Sequence, residues 1–398
     1  MSPHQIAREK IEQAIGILQE KNIDAWITFV RETTLMGDPT LGLIVSPALQ
    51  LTWHSAFILT RRGERISIVG RFDKDNIEKI GSYPEVLTYD EGIGRPLAET
   101  LLRLNPDSIA INFSESDPAA DGLSHGMWLS LVGMLDGTPF AGRLISAEKI
   151  VNSLRGRKTE TEVARIRAAV VDTEAIFDEV TAFLKPGQTE LEIAAFIHDR
   201  MKARGLATAW DYDFCPTLTA GPDSPVGHAA PGDFRTGRGH LLQIDFGVSK
   251  HGYVSDLQRT WYFLAEGETR PPAEAQRAFD AVRGAIRAGA EALYTGAPGW
   301  KVDLAAREYL VQAGYPEYKH ATGHHIGQTV HDGATVLGPR WERYGQSAYG
   351  EVEAGNVFTL ELGVSVPARG FVGLEEDVLV TPDGVEWLSK PQIELICV

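Results

Sequence analysis

The chain is poor in cysteine. Cys215 and Cys397 are the two thiols in 398 residues, and no CxxC pair occurs. A disulfide framework is therefore excluded. Basic residues are also in deficit, with 38 Lys and Arg against 54 Asp and Glu, a formal net charge of −16. That balance excludes nonspecific binding to nucleic acid or anionic membranes, both of which need basic surface. No stretch reaches the roughly 20 consecutive apolar residues needed to span a bilayer. The first ten residues, Met1 to Lys10, lack an apolar signal core, so the expected location is a reducing cytoplasm. No solenoid-type repeat and no low-complexity tract interrupts the chain. What remains is an ordinary soluble mixture, 43% hydrophobic and 23% charged, long enough for two domains.

The first part alternates short apolar runs with amphipathic segments. Residues 4–21 carry Ile6, Ile11, Ile15 and Leu18 near helical spacing. Ile23–Val30 reads as a strand, and the runs 55–60 and 65–69 flank Arg61-Arg62-Gly63-Glu64 as a hairpin. Helix and strand then alternate as far as a helix over 123–135, which predicts an α/β domain over 1–153. No chemical motif is visible in it.

A second domain is predicted over 154–398. Thr159 with Glu162, and Thr189 with Glu192, each form the S/T-x-x-E pattern of a capping box, opening helices that end near Lys185 and Arg204. Strands follow at about 214–219, 240–248 and 253–264, helices at about 272–293 and 301–313, then strands and loops. Helices with interleaved strands predict α+β architecture with antiparallel pairing.

The chemistry gathers in this second part. Asn356–Val364 reads as an apolar strand, with Phe358, Leu360, Leu362 and Val364 on one face and Glu361 on the other. A carboxylate buried there needs a cation, a hydrogen-bond partner or a raised pKa. Asp245 ends one strand and Asp256 lies on the next, 11 residues on (256 − 245), with Gly247 and Gly252 between. An antiparallel hairpin brings such a pair side by side. Taken singly, each is as well explained as a turn or surface Asp. Glu375-Glu376-Asp377 runs into a further strand. Glu376 shares a face with Leu374, Val378 and Val380, which selects it as the buried acid. Four histidines, His320, His324, His325 and His331, fall within 12 positions of a Gly-broken loop, and His228 is a fifth candidate. Oxygen-rich donors with an imidazole suit Mn²⁺, Co²⁺ or Zn²⁺. Four carboxylates exceed the need of one ion and point to two, the arrangement of metal-assisted hydrolysis.

The ordered set Asp245, Asp256, His324, Glu361 and Glu376 resembles the five-ligand pattern of the pita-bread metallopeptidases. These comprise the methionine aminopeptidases, aminopeptidase P, prolidase and the metal-free creatinase. The stretches that carry the likeness are IDFG, YVSDLQRTW, GHHIGQTVHD, NVFTLELG and LEEDVLVT, within about residues 158–390. The resemblance implies a curved antiparallel sheet covered by helices, preceded by a smaller creatinase- or prolidase-like α/β domain. It implies that Asp245 chelates one ion, that His324 and Glu361 bind a second, and that Asp256 and Glu376 bridge them. Glu361 would also handle the nucleophilic water's proton, with His228 and His331 as substrate-side histidines. The activity implied is cleavage of Xaa-Pro bonds in short proline-containing peptides by a homodimer. Aminopeptidase P activity on longer peptides, hydrolysis of a non-peptide amide, and a non-catalytic binding module of the same fold are the alternatives.

Three departures bear on the substrate. Phe214 stands where the prolidase branch usually has Tyr, 14 residues before His228. No Arg occurs in Tyr349–Gly355, where a clamp for a substrate carboxylate is expected, which makes Arg340 and Arg343 the candidates to replace it. Glu361-Leu362-Gly363 replaces the usual Glu-Pro-Gly. Trp210, Tyr212 and Phe214 are candidates for a proline pocket. Trp53 and His54 are candidates for contact with a second subunit.

Overall fold

Short apolar runs separated by amphipathic helices build a mixed sheet in the first part of the computed structural model, which describes residues 4–47, 49–227 and 229–398. The chain divides into two compact units, Met1–Arg155 and Gly156–Val398. In the first, α1 (Gln5–Glu20) leads to β1 (Ala25–Val30) and the short α2 (Leu41–Ile44). The hairpin β2 (Ser55–Thr60) and β3 (Arg65–Gly70) follows, then α3 (Lys74–Ile80), β4 (Glu85–Tyr89) and α4 (Gly94–Leu104). Then come β5 (Ile109–Ile111), α5 (His125–Met134), β6 (Leu144–Ser146) and α6 (Glu148–Gly156), whose last residue is the first of the second unit. The strand order is β4-β3-β2-β1-β5-β6. The hairpin is antiparallel and pairs that way with β1, while the outer strands join in parallel. Ile27, Phe29, Ile58, Ile66, Leu97 and Leu131 belong to its core.

The second unit opens on α7 (Glu160–Phe183) and α8 (Glu190–Ala203). Both begin at formed capping boxes. The Thr159 hydroxyl accepts from the Glu162 N–H at 3.3 Å, while the Glu162 carboxylate accepts from the Thr159 N–H at 2.8 Å. Thr189 and Glu192 repeat this at 3.1 and 2.8 Å. Strands β7 (Ala207–Thr208), β8 (Thr217–Ala220), β9 (Leu241–Phe246), β10 (Val248–Lys250), β11 (Tyr253–Val254) and β12 (Leu257–Tyr262) follow. Helices α9 (Ala273–Ala292) and α10 (Gly299–Gln312) precede β13 (Val357–Val366), β14 (Gly370–Thr381), β15 (Gly384–Trp387) and β16 (Ile396–Cys397).

The main sheet runs β13-β14-β12-β9-β8, with β15 paired to β14 and β16 to β12, and every pair except β12–β16 is antiparallel. Leu360, Leu362, Leu374 and Val378 pack with Phe279, Val282 and Ile286 of α9 in one apolar cluster. Side chains alternate across a strand, so the residues between them face the other way. That second face is also largely buried, and it is polar.

The two expected long strands around residues 240–264 are each broken. At Gly247 an added Cβ would collide with the Ser255 carbonyl oxygen. The Val248 N–H donates to the Ser255 hydroxyl at 3.2 Å. The segments beyond the break, β10 and β11, join β7 in a separate three-stranded sheet. Asp256 lies in the gap between β11 and β12, outside the ladder.

Candidate metal centre

Strand register sets out the site. Glu361 on β13 pairs with Glu375 on β14, Glu375 with Gln258 on β12, Gln258 with Asp245 on β9, and Asp245 with Thr217 on β8. These five residues form one row across the sheet. Directly opposed side chains lie about 4.5–5.5 Å apart, and like charges so opposed repel. Asp256 joins from the strand break. Its backbone N–H donates to Asp377 Oδ2 at 3.2 Å, and its carboxyl group is close enough to that of Asp245 for the two to perturb each other.

His324 arrives on a strap, residues 322–325, laid along the edge of β13. The Glu361 N–H donates to the Thr322 carbonyl oxygen at 2.7 Å, and the Thr359 N–H to that of His324 at 2.8 Å. The His324 N–H donates in return to Thr359 Oγ1 at 3.2 Å. His324 Nδ1 lies 3.3 Å from the His325 carbonyl oxygen. With its hydrogen there, Nε2 presents a lone pair to the acids. Nε2 stands 3.7 Å from Glu361 Oε1, 3.8 Å from Glu375 Oε1 and 3.9 Å from Asp256 Oδ2.

Burial dominates the electrostatics. It pushes Glu361 up to about 8, with Asp245 adding repulsion, and Asp245 up to about 7. Asp256 is raised well above its ordinary value by burial and then by Asp245, and Glu375 by burial and then by Asp256. Burial drives His324 down to about 3, so the ring is neutral. Asp245 Oδ1 and Glu375 Oε1 are buried without a hydrogen-bond partner. Ligand atoms of Asp256, His324 and Glu375 lie within 4.8 Å of one another. Orphaned carboxylate oxygens around a neutral imidazole fit a divalent cation.

One expected member is corrected. Glu376 does not join the cluster: Glu375 does. The period-two reading of β14 is right, but the face it selected packs toward α9. There Glu376 is neutralised by Arg259, whose guanidinium donates to both carboxylate oxygens at 3.0 Å. The Ser389 hydroxyl and the Gln392 N–H complete its shell at 2.6 and 3.0 Å. Gln258, absent from the sequence expectations, lies between the acids. A polar residue two positions after Asp256 and facing Glu375 is visible only once the register is known.

Other expected residues fall as follows. His228 lies outside the described residues. His331 is exposed and packs edge-on to His324, with ring centres 4.6 Å apart. A cavity of about 400 Å³ opens beside Glu361, Asp245 and Gln258, with Tyr318, Lys319 and Phe371 among its walls. Arg340 and Arg343 do not line it. Arg340 stacks over Trp300 at 4.3 Å and Arg343 over Trp341 at 4.9 Å. The basic side chain on the cavity wall, among the described residues, is Lys319, paired with Glu317 at 2.9 Å. Phe214 is 45% exposed, its carbonyl oxygen accepts from Trp210 Nε1 at 2.8 Å, and Tyr212 stacks on His198. None of these three aromatics is among the residues lining the cavity. Trp53 is 40% exposed and packs against Phe72, while the ring of His54 stacks on Phe29.

Comparison with known proteins adds three findings. The family described as Metallopeptidase family M24 matches residues 164–382. An uncharacterized peptidase of Staphylococcus haemolyticus is 30% identical over 243 residues, 61% of this chain and 65% of its own length. One of Staphylococcus aureus strain USA300 is 31% identical over 240 residues, 60% of this chain and 64% of its own. The match thus spans just under two thirds of these relatives. Among solved structures, an Xaa-Pro dipeptidase from Bacillus anthracis aligns with a TM-score of 0.75 at 23% identity, covering 98% of this chain and 100% of that one. Dipeptidase PepE from Mycobacterium ulcerans aligns at 0.74 and 24%, covering 99% and 98%. At such identity these structures establish the fold, a pita-bread sheet with a preceding α/β unit. No helix among the described residues is long and apolar enough to cross a membrane.

Proposed function

Because the chain belongs to metallopeptidase family M24, we propose that it hydrolyses Xaa-Pro bonds in dipeptides or short peptides, using two divalent ions. The observation that carries this reading is the convergence of Asp245, Asp256, His324, Glu361 and Glu375, with two buried carboxylate oxygens left without partners. Asp245, Asp256 and Glu375 would hold one ion, and His324 and Glu361 would join Asp256 and Glu375 on the other. Bound divalent ions lower the pKa of a water and polarise a carbonyl, and Mn²⁺, Co²⁺ and Zn²⁺ all suit these donors.

The chain's own groups do the rest. Glu361 lines both the cluster and the cavity, which supports it as the group that takes a proton from the attacking water and returns it to the leaving nitrogen. His331, against His324, is read as a donor to the scissile carbonyl oxygen as charge develops there. Val226, Val364 and Phe371 give the cavity an apolar wall suited to a proline ring, and Lys319 supplies a cation for a terminal carboxylate.

The test compares Gly-Pro and Ala-Pro dipeptides with an Xaa-Pro-Yaa tripeptide, alongside metal analysis of the purified protein. Divalent metal bound and dipeptides cleaved is the expected result. Cleavage of tripeptides alone would make the protein an aminopeptidase of the X-Pro type, the activity that names a Thermotoga maritima protein whose structure aligns with a TM-score of 0.71 at 22% identity. Absence of both metal and hydrolysis would sink the enzyme reading. We also read a homodimer, supported by the exposed Trp53 and Phe72 side chains of the first unit, and sedimentation velocity should give twice the chain mass.

A further inference from the structure

Gln258 is the amide in a row otherwise occupied near the cluster by acids. Its side-chain nitrogen donates to Glu361 Oε2 at 3.2 Å and to Glu375 Oε2 at 2.9 Å. Its side-chain oxygen accepts from Gln243 Nε2 at 3.0 Å. Carboxylates ionised on a bound metal can only accept, so there the nitrogen must face the two acids. In that orientation the Gln258 oxygen meets Gln243 Nε2 on the other side. With both Oε2 atoms engaged, the Oε1 atoms of Glu361 and Glu375 are left, and these are the atoms nearest His324 Nε2, at 3.7 and 3.8 Å. Glu375 Oε1 is buried without a partner. Gly373 leaves room for the relay, since a Cβ there would come within 2.7 Å of Gln258 Oε1 and 3.1 Å of Gln243 Cγ.

We infer that Gln258, held by Gln243, is a positioning residue that turns one oxygen of Glu361 and one of Glu375 toward the bound ion and keeps the other away. Each glutamate would then present a single oxygen to the metal centre, so that Glu375 serves both ions through the same atom. This geometry favours small ions with few ligands over Ca²⁺, which takes six to eight oxygens and accepts both oxygens of one carboxylate. The inference rests on the metal-centre reading above.

The test is calorimetric titration of the metal-stripped full chain with Mn²⁺ and with Ca²⁺, for the natural protein, Gln258→Met and Gln243→Leu. Methionine keeps the length of the side chain and removes all three hydrogen bonds of the amide. Gln258→Met should weaken Mn²⁺ binding by about 10- to 100-fold, the usual cost of losing an outer partner of a metal ligand. It should also shift the Ca²⁺-to-Mn²⁺ affinity ratio toward Ca²⁺, which a space-filling role for Gln258 would not do. Gln243→Leu should move both quantities in the same direction by less, and it carries the comparison if Gln258→Met fails to fold. Unchanged Mn²⁺ affinity and an unchanged ratio in the folded variants would overturn the inference and leave the metal centre standing. A natural protein that binds no Mn²⁺ would overturn the metal-centre reading and this inference with it.

Discussion

Arg259 decides which of two adjacent acids is available to a metal. It neutralises Glu376 on one face of β14, while Glu375 on the other face keeps a buried oxygen without a partner. The two glutamates should therefore separate cleanly by mutation. Glu375→Gln should cost at least the roughly 100-fold in metal affinity at the top of the range for outer-partner losses, with the fold retained. Glu376→Gln should leave metal affinity near its natural value. Metal titration of both variants checks this, and equal losses would refute the assignment. Arg259→Met should instead appear in stability. Removing one partner of a buried ion pair costs about 3–5 kcal/mol, so denaturant unfolding should shift by that much.

The strap carrying His324 depends on close backbone contact with β13. At Gly323 an added Cβ would collide with the Thr359 carbonyl oxygen. Gly323→Ala should push the strap from the strand edge and move His324 relative to Glu361. Metal affinity should fall about 10- to 100-fold, comparable to losing an outer partner, while helix content by circular dichroism stays unchanged. Retained affinity would mean that the strap tolerates displacement. At this scale much was legible in the sequence. Both capping boxes mark true helix starts, and the apolar runs mark most strands. Two things were not legible. Alternation along Leu374–Val380 identifies two faces, but not which one meets α9, because both are buried. The break at Gly247 depends on contact with Ser255, eight residues on (255 − 247), which no local pattern reveals. Histidine density located the loop, but only the strap geometry turns His324 to the acids and leaves His325 against Phe358.

For the whole molecule, the buried acids link stability to pH. In the metal-free protein Asp245 is raised to about 7 and Glu361 to about 8, chiefly by burial, from 3.8 and 4.5. The folded state thus holds protons that the unfolded chain has released. That contribution is complete below the ordinary carboxylate range and is lost as pH rises through 7 and 8. His324 runs the other way, lowered to about 3 from 6.5, so its contribution is lost as pH falls from 6.5 toward 3. Between pH 6.5 and 8 the carboxyl groups outweigh the last half of the His324 titration in the unfolded chain, and the metal-free protein should lose stability as pH rises. Metal-loaded protein keeps these groups ionised at both ends. The difference in melting temperature between loaded and stripped protein should therefore widen from pH 6.5 to 8, by about 2–4 °C for each kcal/mol of linkage. Scanning calorimetry at the two pH values measures it, and a constant difference would refute it.

The transverse row has a consequence for assembly. Its acids come from strands far apart in the chain, and each strand has a period of two. A slip of one residue in any pairing turns that strand's acid to the opposite face and brings a neighbour in its place. A chain folded with one strand out of step would lose that acid from the row and turn the strand's apolar side chains away from α9. One register therefore serves two ends at once, seating the apolar face on α9 and gathering the acids on the other.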